Sequence, residues 1–130
     1  MKDTYLVKVD AATGRVRANK CLFHQTLWQI SKGVKGYAAR LPLKYPATVK
    51  FQYVDCYVDE DGALVKNPII NRVISDLYGD TIFGNAVFAR HTRDGDLVGL
   101  TKAQRDHVVK WLCCHGGNRT APLYKKRKPK

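Results

Sequence analysis

The chain lacks the apolar run of a membrane segment: nothing in its 130 residues approaches the ~18 consecutive apolar residues that a span requires. It also lacks a secretory signal, because the N-terminus MKDTYLVKVD alternates like a strand instead of opening on an apolar block. Cysteine is sparse. Cys21, Cys56, Cys113 and Cys114 form no disulfide framework, and the two neighbours are poorly placed to bridge each other. These absences point to a protein without membrane insertion, in an intracellular, reducing compartment, with buried and unbridged thiols. That compartment is the cytoplasm or the inside of a virion or nucleoprotein particle; in a eukaryotic host, KKRK near the C-terminus would read as a nuclear address.

Motifs that carry chemistry are missing as well. The phosphate loop G-x-x-x-x-G-K-[ST] does not occur. Asp59, Glu60 and Asp61 open like a calcium loop, but Ala63, Leu64 and Val65 follow where ligands would have to continue. Cys113, Cys114 and His115 are consecutive, and three adjacent ligands do not easily turn onto one tetrahedral zinc ion. No local signature surrounds any cysteine as a nucleophile. The sequence therefore predicts a protein that is not an enzyme, with no catalytic residues, no metal and no cofactor.

Positive charge is what the chain has in excess. The formal net charge is +12, and acids are absent from the last twelve residues. There Arg119, Lys125, Lys126, Arg127, Lys128 and Lys130 supply six positive charges. Residues 1–118 hold 17 basic and 11 acidic residues, so both parts are basic. A field of this sign favours polyanions. The tail NRTAPLYKKRKPK has no apolar periodicity, and Pro122 and Pro129 hold it extended. The division is a domain over residues 1–117 and a basic extended tail over 118–130.

Within the domain, periodicity predicts an α+β fold: one small domain with an antiparallel-rich sheet and about three helices. Thr4–Asp10 and Arg15–Ala18 alternate around the turn Ala11–Gly14 and form a hairpin. Arg15 and Arg17 share one face of its second strand and read as solvated. Leu22–Val34 has helical spacing, with Trp28 widening its apolar face and Gly33 and Gly36 ending it. His24 and Trp28, four residues apart, read as ordinary packing.

Tyr37–Leu41 is a short strand, and Pro42 and Pro46 flank a rigid connection. Thr48–Val58 is the longest strand, with Phe51, Tyr53, Asp55 and Tyr57 on one face. Those aromatics read as core, and Asp55 among them needs a partner, an arginine by preference. Asp59–Gly62 reads as a hairpin turn. Asn67 and Pro68 open a helix over Pro68–Tyr78 that Gly79 stops. Thr81–Arg90 is a buried strand in which Gly84 marks a bulge or a close backbone approach. Thr92–Asp96 turns, Leu97–Leu100 continues the sheet, and Thr101 with Gln104 forms a capping box for the last helix, which Gly116 and Gly117 end. Trp28 and Trp111 are both expected to be mostly buried.

The segments VKGY (34–37), DEDGAL (59–64), NPIINRV (67–73), DTIFGNAVFA (80–89) and GDLVGLTKAQRDHVVKWL (95–112) resemble the domain of unknown function 3846 family. Its members are small proteins and modules of phages, mobile elements and bacteria. The resemblance spans residues 4–112 and leaves the tail outside. It implies an α+β domain and no established activity, in a viral or mobile-element setting. The family pattern carries two glycines before the aromatic Tyr37; this chain has Lys35 in place of the first.

The expected function is that of a non-enzymatic accessory or structural protein of a nucleoprotein or virion assembly. Its domain docks on one or more proteins, and its tail lies along the phosphates of DNA or RNA without base specificity. The alternative is a small-ligand binder for a nucleotide, acting against a host pathway, with Tyr37, Asn71 and Arg72 as ligand or anion contacts. For Arg72, pairing with Asp55 or Asp76 is the structural alternative to holding a phosphate.

Overall fold

The computed structural model describes residues 3–41 and 53–114. The alternating N-terminus forms β1 (Thr4–Val9), which pairs antiparallel with β2 (Val16–Cys21). Gly14 in the turn between them has φ +74°. β2 runs three residues past the expected Ala18, because Cys21 is itself a core residue under the first helix. The remaining strands are β3 (Ala38–Leu41), β4 (Val54–Asp59), β5 (Ala86–His91) and β6 (Leu97–Val98). All described pairings are antiparallel, in the order β2-β1-β5-β4-β3. β6 adds to the far end of β5, and a bridge from Leu100 to Tyr5 carries the chain past β1.

Three α-helices cover this sheet unequally: α1 (Thr26–Val34), α2 (Arg72–Tyr78) and α3 (Lys102–Cys114). On one face Val73, Ile74 and Leu77 of α2 and Val108 and Leu112 of α3 meet Val7, Val9, Val54, Cys56 and Phe88. Each fully buried side chain of this size contributes about 1.5–3 kcal/mol. On the other face α1 works alone. Its Ile30 and Val34 pack on Leu6, Cys21, Val87 and Ala89. α1 touches β3, β4, β5 and β6, whereas α3 lies across β1 and β2 on the opposite side. The β1–β2 end of the sheet is therefore covered along one face and, on the α1 side, only at Leu6 and Cys21.

The expected α+β class is the one observed, and most elements fall where the periodicity put them. Several local expectations change, and the buried strand expected over Thr81–Arg90 begins only at Ala86, after the left-handed Gly84. The helix expected from Leu22 begins as a 3-10 turn over Phe23–Gln25 and becomes α-helical only at Thr26. It does not end at Gly33. That glycine sits inside α1 because a Cβ there would stand 2.8 Å from a Val87 methyl carbon, and the helix ends at Lys35. Asp59–Gly62 closes no hairpin, since a 3-10 turn (Gly62–Leu64) and α2 intervene before β5. The helix expected over Pro68–Tyr78 starts at Arg72, and its cap is Asn71 rather than Asn67.

Gly84 has φ +84° with open space around it, so its backbone conformation, not a close approach, accounts for the glycine. Trp111 is half-buried and packs edge-on against Phe88, with ring centroids 6.1 Å apart. Trp28 departs from expectation: it is 59% exposed. The buried stripe of α1 is Thr26, Ile30 and Val34. Trp28 lies two residues from both Thr26 and Ile30, about 200° of helix rotation away. The Pro42–Pro46 connection, Thr48–Gln52, Gly116, Gly117 and the tail lie outside the described residues.

Candidate nucleic-acid interface

The open end of the sheet is where unsatisfied positive charge collects. Lys8 on β1 stands directly opposite Arg17 on β2, so the two side chains share the α1 side of the sheet, at the margin of that helix. Like charges opposed across a strand pair repel and destabilise the sheet unless an anion lies between them. From the helix side, Lys32 and Lys35 approach the same surface. Together with Lys8 and Lys20 they line a groove of about 360 Å³ between α1 and the β1–β2 hairpin.

Among the described residues no Asp or Glu lines this groove. Lys20 reaches Asp3 at 3.4 Å, an exposed pair. Among the described residues, Lys8, Lys32 and Lys35 have no carboxylate partner. The floor is apolar, formed by Leu6 and Val87, and Trp28 stands in the wall. The Lys32 ammonium lies 5.0 Å from the centre of the indole, within cation–π range. Lys8 is half-buried, with its stem along Gly33, so its charge is held at the groove instead of sweeping through solvent.

A second cavity, of about 350 Å³, adjoins the first and shares Lys8 and Lys35 with it. Asp10 and Asp59 line it, so its charge is mixed where that of the first groove is of one sign.

The residues expected to contact a ligand do not assemble. Tyr37 is 77% exposed and Arg72 is exposed on α2. Asn71 is fully buried and faces inward. Its Nδ2 donates to the carbonyls of Val9 (3.1 Å) and Gly84 (3.0 Å), and its Oδ1 accepts from the Ile74 amide (3.2 Å). Asn71 is thus a structural clamp between β1, α2 and the approach to β5. None of the three lines either cavity. Arg119, Lys125, Lys126, Arg127, Lys128 and Lys130 lie outside the described residues.

Asp55 finds the arginine that its position required, and a histidine besides. Arg40 Nη1 is 3.3 Å from Oδ1, and His91 Nδ1 is 2.6 Å from Oδ2, with the carboxylate 5% exposed. The Tyr57 hydroxyl approaches Oδ2 at 3.5 Å. Burial, then the charge on Asp55, pushes the Tyr57 hydroxyl up to about 12. Tyr53, beside His91 with ring centroids 5.0 Å apart, has φ +64°, a left-handed conformation directly ahead of β4. A histidine oriented by a buried carboxylate is half of a hydrolytic triad. Among the described residues no hydroxyl or thiol hydrogen-bonds His91 to complete one. The cluster works as a charged tie across β3, β4 and β5.

Burial raises the Cys56 thiol strongly, so it is inert as a nucleophile at neutral pH. Among the described residues no group of His, Cys, Asp and Glu is placed to hold a metal ion, and no helix is long and apolar enough to cross a membrane.

Sequence reasoning missed the groove. Its one legible signal was Trp28 followed by Lys32 at i+4, a pair the sequence reading did not weigh, having paired Trp28 with His24 as packing. The lysines come from positions far apart in the chain and meet only once the hairpin and α1 share a sheet.

The molecule is thus a small antiparallel α+β domain with one sheet end left open and basic. The chain belongs to the family described as Domain of unknown function (DUF3846), whose model matches residues 17–112. No curated protein and no solved structure gives a significant match.

Proposed function

We propose that this protein is a non-enzymatic nucleic-acid-binding accessory protein. It holds phosphate backbones through the lysine groove and the basic tail, within a larger nucleoprotein or virion assembly. The observation that carries this reading is the groove itself: four lysines, one exposed indole and no carboxylate. Three of those lysines have no carboxylate partner among the described residues, and Lys8 is opposed by Arg17. A phosphate chain laid along this surface relieves the repulsion and releases counterions. The tail adds six charges whose mixture of lysine and arginine favours affinity over sequence choice. Protein partners would cover the exposed apolar residues Leu64, Val65, Ile69 and Ile70.

The cavity volume favours one second reading, a free nucleotide as the ligand, since about 360 Å³ lies in the range of small-ligand sites. It would bind at the groove and not at Tyr37, Asn71 and Arg72.

The test is binding of a mixed-sequence oligonucleotide across a salt series. It compares the full chain, a chain truncated after Asn118, and a Lys8→Ala, Lys32→Ala double variant. Each alteration is expected to weaken binding and flatten its salt dependence. Binding that is absent, or that ignores both alterations, overturns the proposal. Tight binding of a mononucleotide, with no gain from chain length, selects the second reading.

A further inference from the structure

We infer that the groove is a subsite for one unpaired base of a single-stranded nucleic acid, stacked on the indole of Trp28. This rests on the nucleic-acid reading above and narrows it, from any phosphate backbone to a single strand.

Four observations converge on a base. The first is the exposure of Trp28, at 59%, on α1 at the margin of the sheet face that this helix covers only in part. An indole in that position offers a π-face to solvent, and every nucleobase has a matching one. Lys32 sits 5.0 Å from the ring centre, which leaves the rest of the exposed indole available and puts an ammonium where the phosphate of a stacked nucleotide would run.

The second is the shape. The groove runs between α1 and the hairpin, with the Lys8 stem against Gly33 in its lining. A splayed-out base can enter it. The bases of a duplex cannot, because their faces are already stacked on one another.

The third is the floor. Leu6 and Val87 are apolar and buried, which suits the flat body of a base and not a phosphate. Charge lies around that floor, on Lys8, Lys32 and Lys35. An apolar centre ringed by cations matches a nucleotide's own division into base and phosphate.

The fourth is the pair of amides, Asn19 and Gln29, in the lining. The Gln29 carbonyl already accepts from the Leu22 amide at 3.1 Å, so its NH₂ is what remains to offer. The Asn19 amide is exposed and offers both a donor and an acceptor. Two adaptable amides give a mild base preference rather than a code.

The experiment uses the full chain and three probes of equal length: oligo(dT), oligo(U) and a DNA duplex, at one fixed salt concentration. Tryptophan emission and affinity are read together. Either single strand is expected to quench Trp28 emission and to bind about tenfold tighter than the duplex. Trp28→Ala is expected to lose about that factor on the single strands and nothing on the duplex, and Trp28→Phe to keep most of the affinity. Trp28 is mostly exposed, so these variants fold, and circular dichroism checks that they do. Equal binding of single strand and duplex, unchanged in Trp28→Ala, overturns the subsite while leaving phosphate binding standing. Failure of all three probes to bind removes the nucleic-acid reading, and the subsite with it.

Discussion

Lys35 holds a backbone conformation that a lysine adopts at a cost. Its φ of +63° places it in the left-handed region at the C-cap of α1, where its amide donates to the Ser31 carbonyl. Glycine is the usual occupant of such a position. Lys35→Gly is expected to stabilise the fold by about 1 kcal/mol, read as a rise in Tm of about 4 °C. The same variant removes a groove cation, so it is expected to bind oligonucleotide more weakly while folding more stably. Gain in both would show that Lys35 does not serve the groove.

Tyr57 sets a second test at this scale. Its hydroxyl ionises near 12 in the folded chain against an ordinary value of 10.0. The unfolded chain therefore releases this proton first as pH rises. The contribution of Tyr57 is intact below pH 10 and is lost as pH climbs to 12. Cys56, raised in the same direction, adds to that loss. Denaturant unfolding between pH 9 and 12 is expected to show falling stability, with a shallower fall in Tyr57→Phe. A fall of the same depth in that variant would assign it to other groups.

Among the elements, two helix starts separate what local sequence specifies from what the fold imposes. α3 begins with a capping box: the Thr101 hydroxyl accepts from the Gln104 amide at 3.1 Å, and the Gln104 side chain accepts from the Thr101 amide at 3.2 Å. The pattern is contained within four residues, so it was readable as written. Thr101→Ala is expected to cost about 1 kcal/mol. α2 begins at Asn71, although Asn67 followed by Pro68 has the stronger local signal. Asn71 wins because its amide also reaches Val9 on β1 and Gly84 before β5, partners 62 and 13 residues away. Asn71→Ala removes the cap and leaves buried carbonyls without a donor, so it is expected to cost about 3 kcal/mol in chemical denaturation. Asn71→Asp keeps the cap acceptor, loses both donors, and is expected to recover only part of that loss. Equal costs for Thr101→Ala and Asn71→Ala would show that Asn71 is a cap and no more.

For the whole molecule, net charge and its placement are separate questions. Three groove lysines without carboxylate partners and six tail cations amount to about nine phosphate contacts. On single strands that corresponds to a slope of log affinity against log salt of about −6, falling to about −2 after truncation at Asn118. A slope unchanged by truncation would confine binding to the domain. A slope near zero after truncation would confine it to the tail.

Residue order alone determined the α+β class, most strands, the last helix with its cap, and the basic character of both parts, because alternation, helical spacing, capping and charge are local properties. The open face of β1 and β2, the exposure of Trp28, the meeting of Lys8, Lys32 and Lys35, and the tie between Arg40, Asp55 and His91 were decided by tertiary structure. The reason is geometric. A helical stripe in the sequence marks which residues are apolar, not how wide a sheet the helix must cover. α1 has nine residues, packs over β3, β4 and β5 and meets the hairpin only at Leu6 and Cys21, so among the described residues Lys8 keeps its place at the margin with no carboxylate partner.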